Sequence, residues 1–399
     1  MERLPDIHSA ITRYESYVRA DAQNPLLWLN LGELYHRVSR HDEAIACFER
    51  CLNDHPQFSG ARGHLARVFI SQHRFTDAEK VLEGILASGD QDPNLLYNLG
   101  LSVYYQRRWP EAEVYFLRAQ QAGVTTPDCY AYLARCRHYA GDLQQAVKLC
   151  QQWIDTARDA QSLGYMALLQ MDQGDMENAH RIARQVLAES PDNTHASIVA
   201  GTASIEAQEI ESACSHFEQV LAREPDNARA WLGVGLARLY QQRHKEAVVA
   251  LDKAAQLIPD SVGIAVTLGW AQLSSRDANT AERTFRRAVD IDRNFAEAHG
   301  GLAAALALQA RVDEAQQAIR RAQRLDARGF GAAFARTVVL KLQGQHQAAT
   351  DLLAGVLQQS PKPDGKTLLQ QLELFTRKHP PAGTDLPAER RSPSHKLNQ

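Results

Sequence analysis

The chain repeats itself every 34 residues, and a chain with that period is committed to a row of small similar units before any other feature is weighed. Trp28, Leu31, Gly32 and Tyr35 are followed by Ala44, Phe48 and Pro56. One period on stand Leu65, Ala66, Phe69 and Ala78, and the next brings Leu99, Gly100, Ala112, Phe116 and Ala119. After one unit of 33 residues the phase resumes with Gly201, Ala213, Phe217 and Pro225. It continues through Trp231, Gly235, Ala247, Leu251 and Pro259, then Leu268, Gly269, Ala281, Phe285 and Ala288. Ten units begin at Pro25, Ser59, Pro93, Pro127, Ala160, Thr194, Ala228, Val262, Ala296 and Phe330.

Each unit reads as two helices. Positions four, seven, eight and eleven of the first carry apolar or small residues, which is a one-sided helical stripe. Small residues at position eight and Ala at position twenty predict a close approach of the paired helices. Short turns such as Ala140-Gly141-Asp142 separate them, and prolines such as Pro56, Pro191 and Pro225 stop the second helix. No unit can bury its stripe alone, so neighbours must stack.

The spacing W-x2-L-G-x2-Y, then A-x3-F, then P, resembles the tetratricopeptide repeat. The resemblance implies an all-α, right-handed superhelical solenoid of tandem helix–turn–helix repeats. It also implies an inner groove lined by positions two, five, six, nine, twelve and thirteen of each first helix. Residues 1–24 are expected to form an N-terminal capping helix, half a repeat with Ile7, Ala10, Tyr14 and Tyr17 at core positions. The ten units then form one superhelix over 25–363, and Leu368, Leu369, Leu372 and Phe375 predict a C-terminal capping helix over 364–378. Residues 379–399, with Pro380, Pro381, Pro387 and Pro393, are expected to be a disordered tail. Arg336 and Thr337 stand where an apolar and a small residue are expected, which predicts a loosely packed tenth unit.

Composition narrows the chemistry. Forty-seven acidic against 44 basic side chains give a net charge of −3, unlike a general electrostatic nucleic-acid binder. Ten arginines between Arg276 and Arg328 are offset by eight acids, so that segment reads as a solvated outer face. The longest apolar run, residues 300–310, is far short of a membrane span, and MERLPDIHSAITRYE has no apolar signal core. Six cysteines form no disulfide framework; Cys47 and Cys51 read as packed thiols. A cytoplasmic protein follows as the expectation. No HExxH, GxxxxGK[ST] or strand-borne GxGxxG occurs, so no enzyme is expected. Nor is a cofactor or metal: His36 and His41 are assigned to faces of different helices, and the remaining histidines lack ligand spacing.

Read at the groove positions, the middle units are apolar and aromatic. The third supplies Tyr97, Asn98, Leu101, Tyr104 and Tyr105, and the fourth Tyr132, Arg135, His138 and Tyr139. Tyr165 follows in the fifth, Leu236 and Tyr240 in the seventh, and Trp270 in the eighth. Aromatic rings with a polar tip bury much area at little rotamer cost, so these residues are the candidate partner-binding groove. Leucines at the same positions, Leu236 among them, serve equally well as core.

Two peptide-binding chemistries of the resembled family fail on the residues. Leu29, Glu33, Gly63 and Arg67 stand where a carboxylate clamp would need Lys and Asn, and only Asn30 and Asn98 match a backbone-gripping asparagine ladder. The expected function is a non-catalytic scaffold or adaptor that holds an extended or amphipathic partner segment. By resemblance it would serve secretion, pilus, envelope or polysaccharide assembly, or chaperone their subunits. The rival readings are self-assembly, as a homodimer through the N-terminal half repeat, and a regulatory subunit of an enzyme.

Overall fold

The computed structural model describes residues 7–56, 58–86 and 92–359, and every regular element among them is an α-helix. The expected capping helix over 364–378 and the tail over 379–399 lie outside these residues. A single helix, α1 (Ile7–Ala20), comes first. Hairpins follow: α2 (Pro25–Arg37) with α3 (His41–Asp54), α4 (Ser59–Ser71) with α5 (Phe75–Leu86), α6 (Pro93–Tyr105) with α7 (Trp109–Gln121). Next come α8 (Pro127–Tyr139) with α9 (Leu143–Thr156), and α10 (Ala160–Asp172) with α11 (Met176–Glu189). Then α12 (Thr194–Glu206) precedes α13 (Ile210–Arg223), α14 (Ala228–Tyr240) precedes α15 (His244–Leu257), and α16 (Val262–Ser274) precedes α17 (Ala278–Ile291). The last are α18 (Ala296–Leu308) with α19 (Val312–Leu325), and α20 (Phe330–Leu342) with α21 (His346–Gln359). The first helix of each hairpin begins at the residue where the sequence period places it.

Local chemistry sets these boundaries. Asn24, Asp92 and Thr126 accept from backbone N–H groups at the starts of α2, α6 and α8, each followed by a proline that needs no partner there. The fifteenth residue of each of the ten units has a positive φ, between 57° at Ala310 and 85° at Gly174. Only Gly141, Gly174 and Gly344 are glycines there; seven other residues adopt the left-handed conformation to reverse the chain.

The packing follows from two positions. The alanine at position twenty, from Ala44 to Ala349, is fully buried in all ten units. Where position eight is Gly, the space it leaves holds the side chain from position twenty-four of the same hairpin. A Cβ on Gly32 would lie 2.6 Å from the Phe48 ring, and one on Gly269 would lie 2.6 Å from Phe285. The helices approach because a ring is accommodated, not because two bare backbones meet.

The chain divides into two compact units, Met1–Val199 and Ala200–Gln399. In the first, Ile11 and Val18 of α1 join a continuous core that runs through Leu31, Phe48, Leu65 and Leu99 to Leu133. Tyr35 on α2 donates its hydroxyl to Glu15 of α1 at 2.6 Å. The rings of His36 and His41 lie 5.4 Å apart, so the sequence reading that set them on separate faces is corrected: the turn after α2 folds α3 back beside it. In the second unit, α18 is buried almost all round. In the tenth hairpin the first helix, α20, packs closely, whereas Ala349 is the one buried residue among those of α21 whose burial is described. Gly331 of α20 backs onto Gly300 of α18, where a Cβ would lie 2.8 Å from the Ala332 nitrogen, and Thr337 is buried with its hydroxyl donating to Ala333 O at 3.0 Å.

Candidate functional site: an aromatic face on the first unit

Ten of the thirteen candidate residues belong to the first unit, on α6, α8 and α10, and most of them converge. Tyr104 is the hub. Its ring centre lies 5.0 Å from Tyr132, 5.3 Å from Tyr105 and 6.4 Å from Tyr139, mostly edge to face. Tyr97 meets Tyr132 at 6.3 Å, and the hydroxyls of Tyr105 and Tyr132 are 3.0 Å apart. Helical spacing explains this. Tyr97, Leu101, Tyr104 and Tyr105 occupy one side of α6, and the neighbouring α8 presents Tyr132, Arg135 and Tyr139 toward it.

Burial sorts these residues. Tyr97, Tyr104 and Tyr132 are half-buried, as are Asn98, Leu101 and Arg135. Tyr105 and Tyr139 remain 47% and 49% exposed, which leaves part of each ring open to a partner. Burial pushes the phenols of Tyr104, Tyr97 and Tyr132 far up, so they stay neutral hydrogen-bonding groups. The Arg135 guanidinium sits 5.2–5.5 Å from the ring centres of Tyr132, Trp153 and Tyr165. No carboxylate pairs with it among the described residues.

Two candidates are corrected. Tyr165 is only 2% exposed and His138 only 9%, so neither presents a surface. The Tyr165 hydroxyl and His138 Nδ1 are 2.8 Å apart, and His138 Nε2 lies 2.8 Å from Asp172 Oδ2. Tyr165 donating to the ring and the ring donating to the carboxylate satisfies all three groups. This network joins α8 to α10 beneath the aromatic face. The fifth repeat buries both sides of α10, from Gly164 through Leu169.

Other aromatic residues belong to the face without having been singled out. Trp109 packs on Tyr139 at 4.8 Å, and Phe75 stacks on Tyr105 at the same distance. Both open a second helix, at position seventeen of their units, and an aromatic residue at that position was the signal available.

The remaining candidates lie in the second unit. Leu236 is half-buried on α14, and Tyr240 is 37% exposed at its end. Trp270 gathers a cluster of its own, with Phe330 at 5.5 Å and Phe334 at 5.8 Å. Glu297 beside it accepts from the Gly331 N–H at 3.2 Å, and burial raises its carboxyl.

Among the described residues, no group of three or more His, Cys, Asp or Glu could hold a metal ion. No helix among them is long and apolar enough to cross a membrane.

Comparison with known proteins gives the following. Residues 38–99 and 170–232 match one family model and residues 3–62 another, both described as tetratricopeptide repeat. No curated protein matches the chain. Among solved structures, the crystal structure of MamA is similar over 40% of this chain and 92% of its own, at 20% identity and a TM-score of 0.36. The crystal structure of yeast Tom70 is similar over 93% of this chain and 91% of its own, at 14% identity and a TM-score of 0.38.

Proposed function

We propose that this chain, which belongs to the tetratricopeptide-repeat family, is a scaffold that holds a segment of a partner protein against the aromatic face of its first unit. One observation carries the proposal: the exposed Tyr105 and Tyr139 both adjoin the half-buried Tyr104, in a cluster with half-buried Tyr132 and Arg135. Rings already braced by their neighbours lose little freedom on binding, and their hydroxyls offer polar contacts at the rim. Arg135 adds a charge criterion. Its guanidinium is held over three rings with no carboxylate partner among the described residues, so a partner segment with one acidic residue among apolar ones fits best.

The role is that of a non-catalytic adaptor in the cytoplasm, within a secretion, pilus, envelope or polysaccharide assembly system, or as a chaperone of its subunits. What supports it is the family and the face. A photo-crosslinking phenylalanine analogue placed at position 105 in cells should give a covalent adduct that maps to a single partner segment. The same analogue at Val249, which is 70% exposed on α15, should give none. Equal labelling at the two positions, or none at 105, contradicts the proposal.

A further inference from the structure

The second unit has a cavity of about 290 Å³ between α15, α16 and α17 whose lining is not explained by packing. Its floor includes Gln272, at the eleventh position of its repeat, in the packed stripe. That position is apolar or aromatic in half of the units, as Tyr35, Phe69, Val103, Leu306 and Leu340. In the other units where it is polar a partner is present: Arg238 pairs with Glu218, Arg137 with Glu113, the Ser204 hydroxyl with that of Ser212, and the Gln170 amide donates to Met166 Sδ at 3.8 Å. Gln272 differs. It is 5% exposed, and its Oε1 is buried with no hydrogen-bond donor among the described residues. A buried acceptor left in that state costs free energy unless something outside the chain donates to it.

The wall above it carries the second half of the signal. Arg283 and Arg287 lie one turn apart on α17 and both line the cavity. Each is already positioned, Arg287 by donating to Pro259 O at 3.1 Å and Arg283 by donating to Thr280 Oγ1 at 3.1 Å. Neither forms an ion pair among the described residues, whereas neighbouring Arg286 and Arg311 both pair with Glu282. Two acids are near. Asp252 on the rim accepts from Gln256 at 2.7 Å, and Asp277 feels Arg283 only after its hydrogen bonds to Thr280. Two oriented guanidiniums one helical turn apart suit a dianion with several oxygens, and a cavity of this volume suits a small molecule.

We propose that this cavity binds a small phosphorylated polyol, with its phosphate across Arg283 and Arg287 and one hydroxyl donating to Gln272 Oε1. The site is separate from the aromatic face and does not depend on the partner reading.

Calorimetric titration of the full chain with glucose 6-phosphate, inorganic phosphate and glucose tests it. Glucose 6-phosphate should bind about tenfold more tightly than phosphate, the worth of one good hydrogen bond, and glucose alone should give no heat. Arg283→Gln with Arg287→Gln should weaken glucose 6-phosphate binding about a hundredfold. Gln272→Met should abolish the preference over phosphate without lowering the melting temperature, because it removes an unsatisfied acceptor at similar volume. Circular dichroism verifies that each variant is folded. Absence of heat with glucose 6-phosphate, equal affinity for it and phosphate, or binding unchanged in the double variant overturns the assignment. So does a preference that survives in Gln272→Met.

Discussion

The ring of Phe116 fills the space that a side chain on Gly100 would need: a Cβ there would lie 2.8 Å from Phe116 Cδ1 and Cε1. Gly201 and Phe217 stand in the same relation, again at 2.8 Å. The glycine of the repeat is therefore a socket. Gly100→Ala should destabilise the first unit by about 1–3 kcal/mol, because the ring is fully buried and has nowhere to retreat. Phe116→Leu in the same chain should recover part of that loss. Urea denaturation of the three variants checks it, and additive losses would show that ring and glycine do not compete.

Ala310 turns the chain between α18 and α19 with φ at 57°. A left-handed residue with a Cβ costs roughly 1–2 kcal/mol, while glycine's extra freedom in the unfolded chain costs roughly 0.5–1 kcal/mol. Ala310→Gly should thus stabilise the second unit by roughly half a kcal/mol. Denaturant midpoints decide the sign, and a clear destabilisation would refute the left-handed turn.

All six cysteines are buried. Burial pushes the thiols of Cys47, Cys136 and Cys150 up to about 12 and that of Cys129 up to about 11. Thiolate is the reactive form, so native protein at pH 8 should resist a thiol reagent and react at all six sites once unfolded. Fast modification of the native chain at any of these four would contradict the packing.

The first unit should weaken on mild acidification. Burial lowers the basicity of both His36 and His64; Arg67 lowers each further, as do His41 and His64 for His36, against a smaller opposite effect of Glu33. The unfolded chain then binds more protons than the folded one, so stability is full above the ordinary histidine range and falls as pH drops below about 6.5. Amide exchange in α2–α4, corrected for intrinsic rates, should show less protection at pH 5 than at pH 7. His36→Gln with His64→Gln should flatten that difference, and an unchanged difference would assign it elsewhere.

The repeat, its phase and its all-helical character were legible because they rest on volume. A fully buried alanine at position twenty and a small residue at position eight recur wherever two helices must nest, and each leaves a mark in the sequence. The face was legible only in part. Helical position gives the angle of a side chain around its own helix but not how closely the next helix approaches. Tyr132 and Tyr165 share position six of their units, yet one is half-buried and the other is sealed against His138. The hint lay in the neighbours of Tyr165: AQSLGYMALLQMD has one charged residue, at its end, as suits a helix covered on both sides. The unpartnered Gln272 was not legible at all, since whether a buried amide finds a donor depends on distances that no spacing encodes.

The most direct test removes the open rings and nothing else. Because Tyr105 and Tyr139 are each about half exposed, Tyr105→Ala with Tyr139→Ala should leave helix content unchanged and the melting temperature within a few degrees. Affinity for the segment identified by crosslinking should fall about a hundredfold, as expected when two aromatic anchors are lost. Retention of full affinity by the doubly substituted chain would contradict the account.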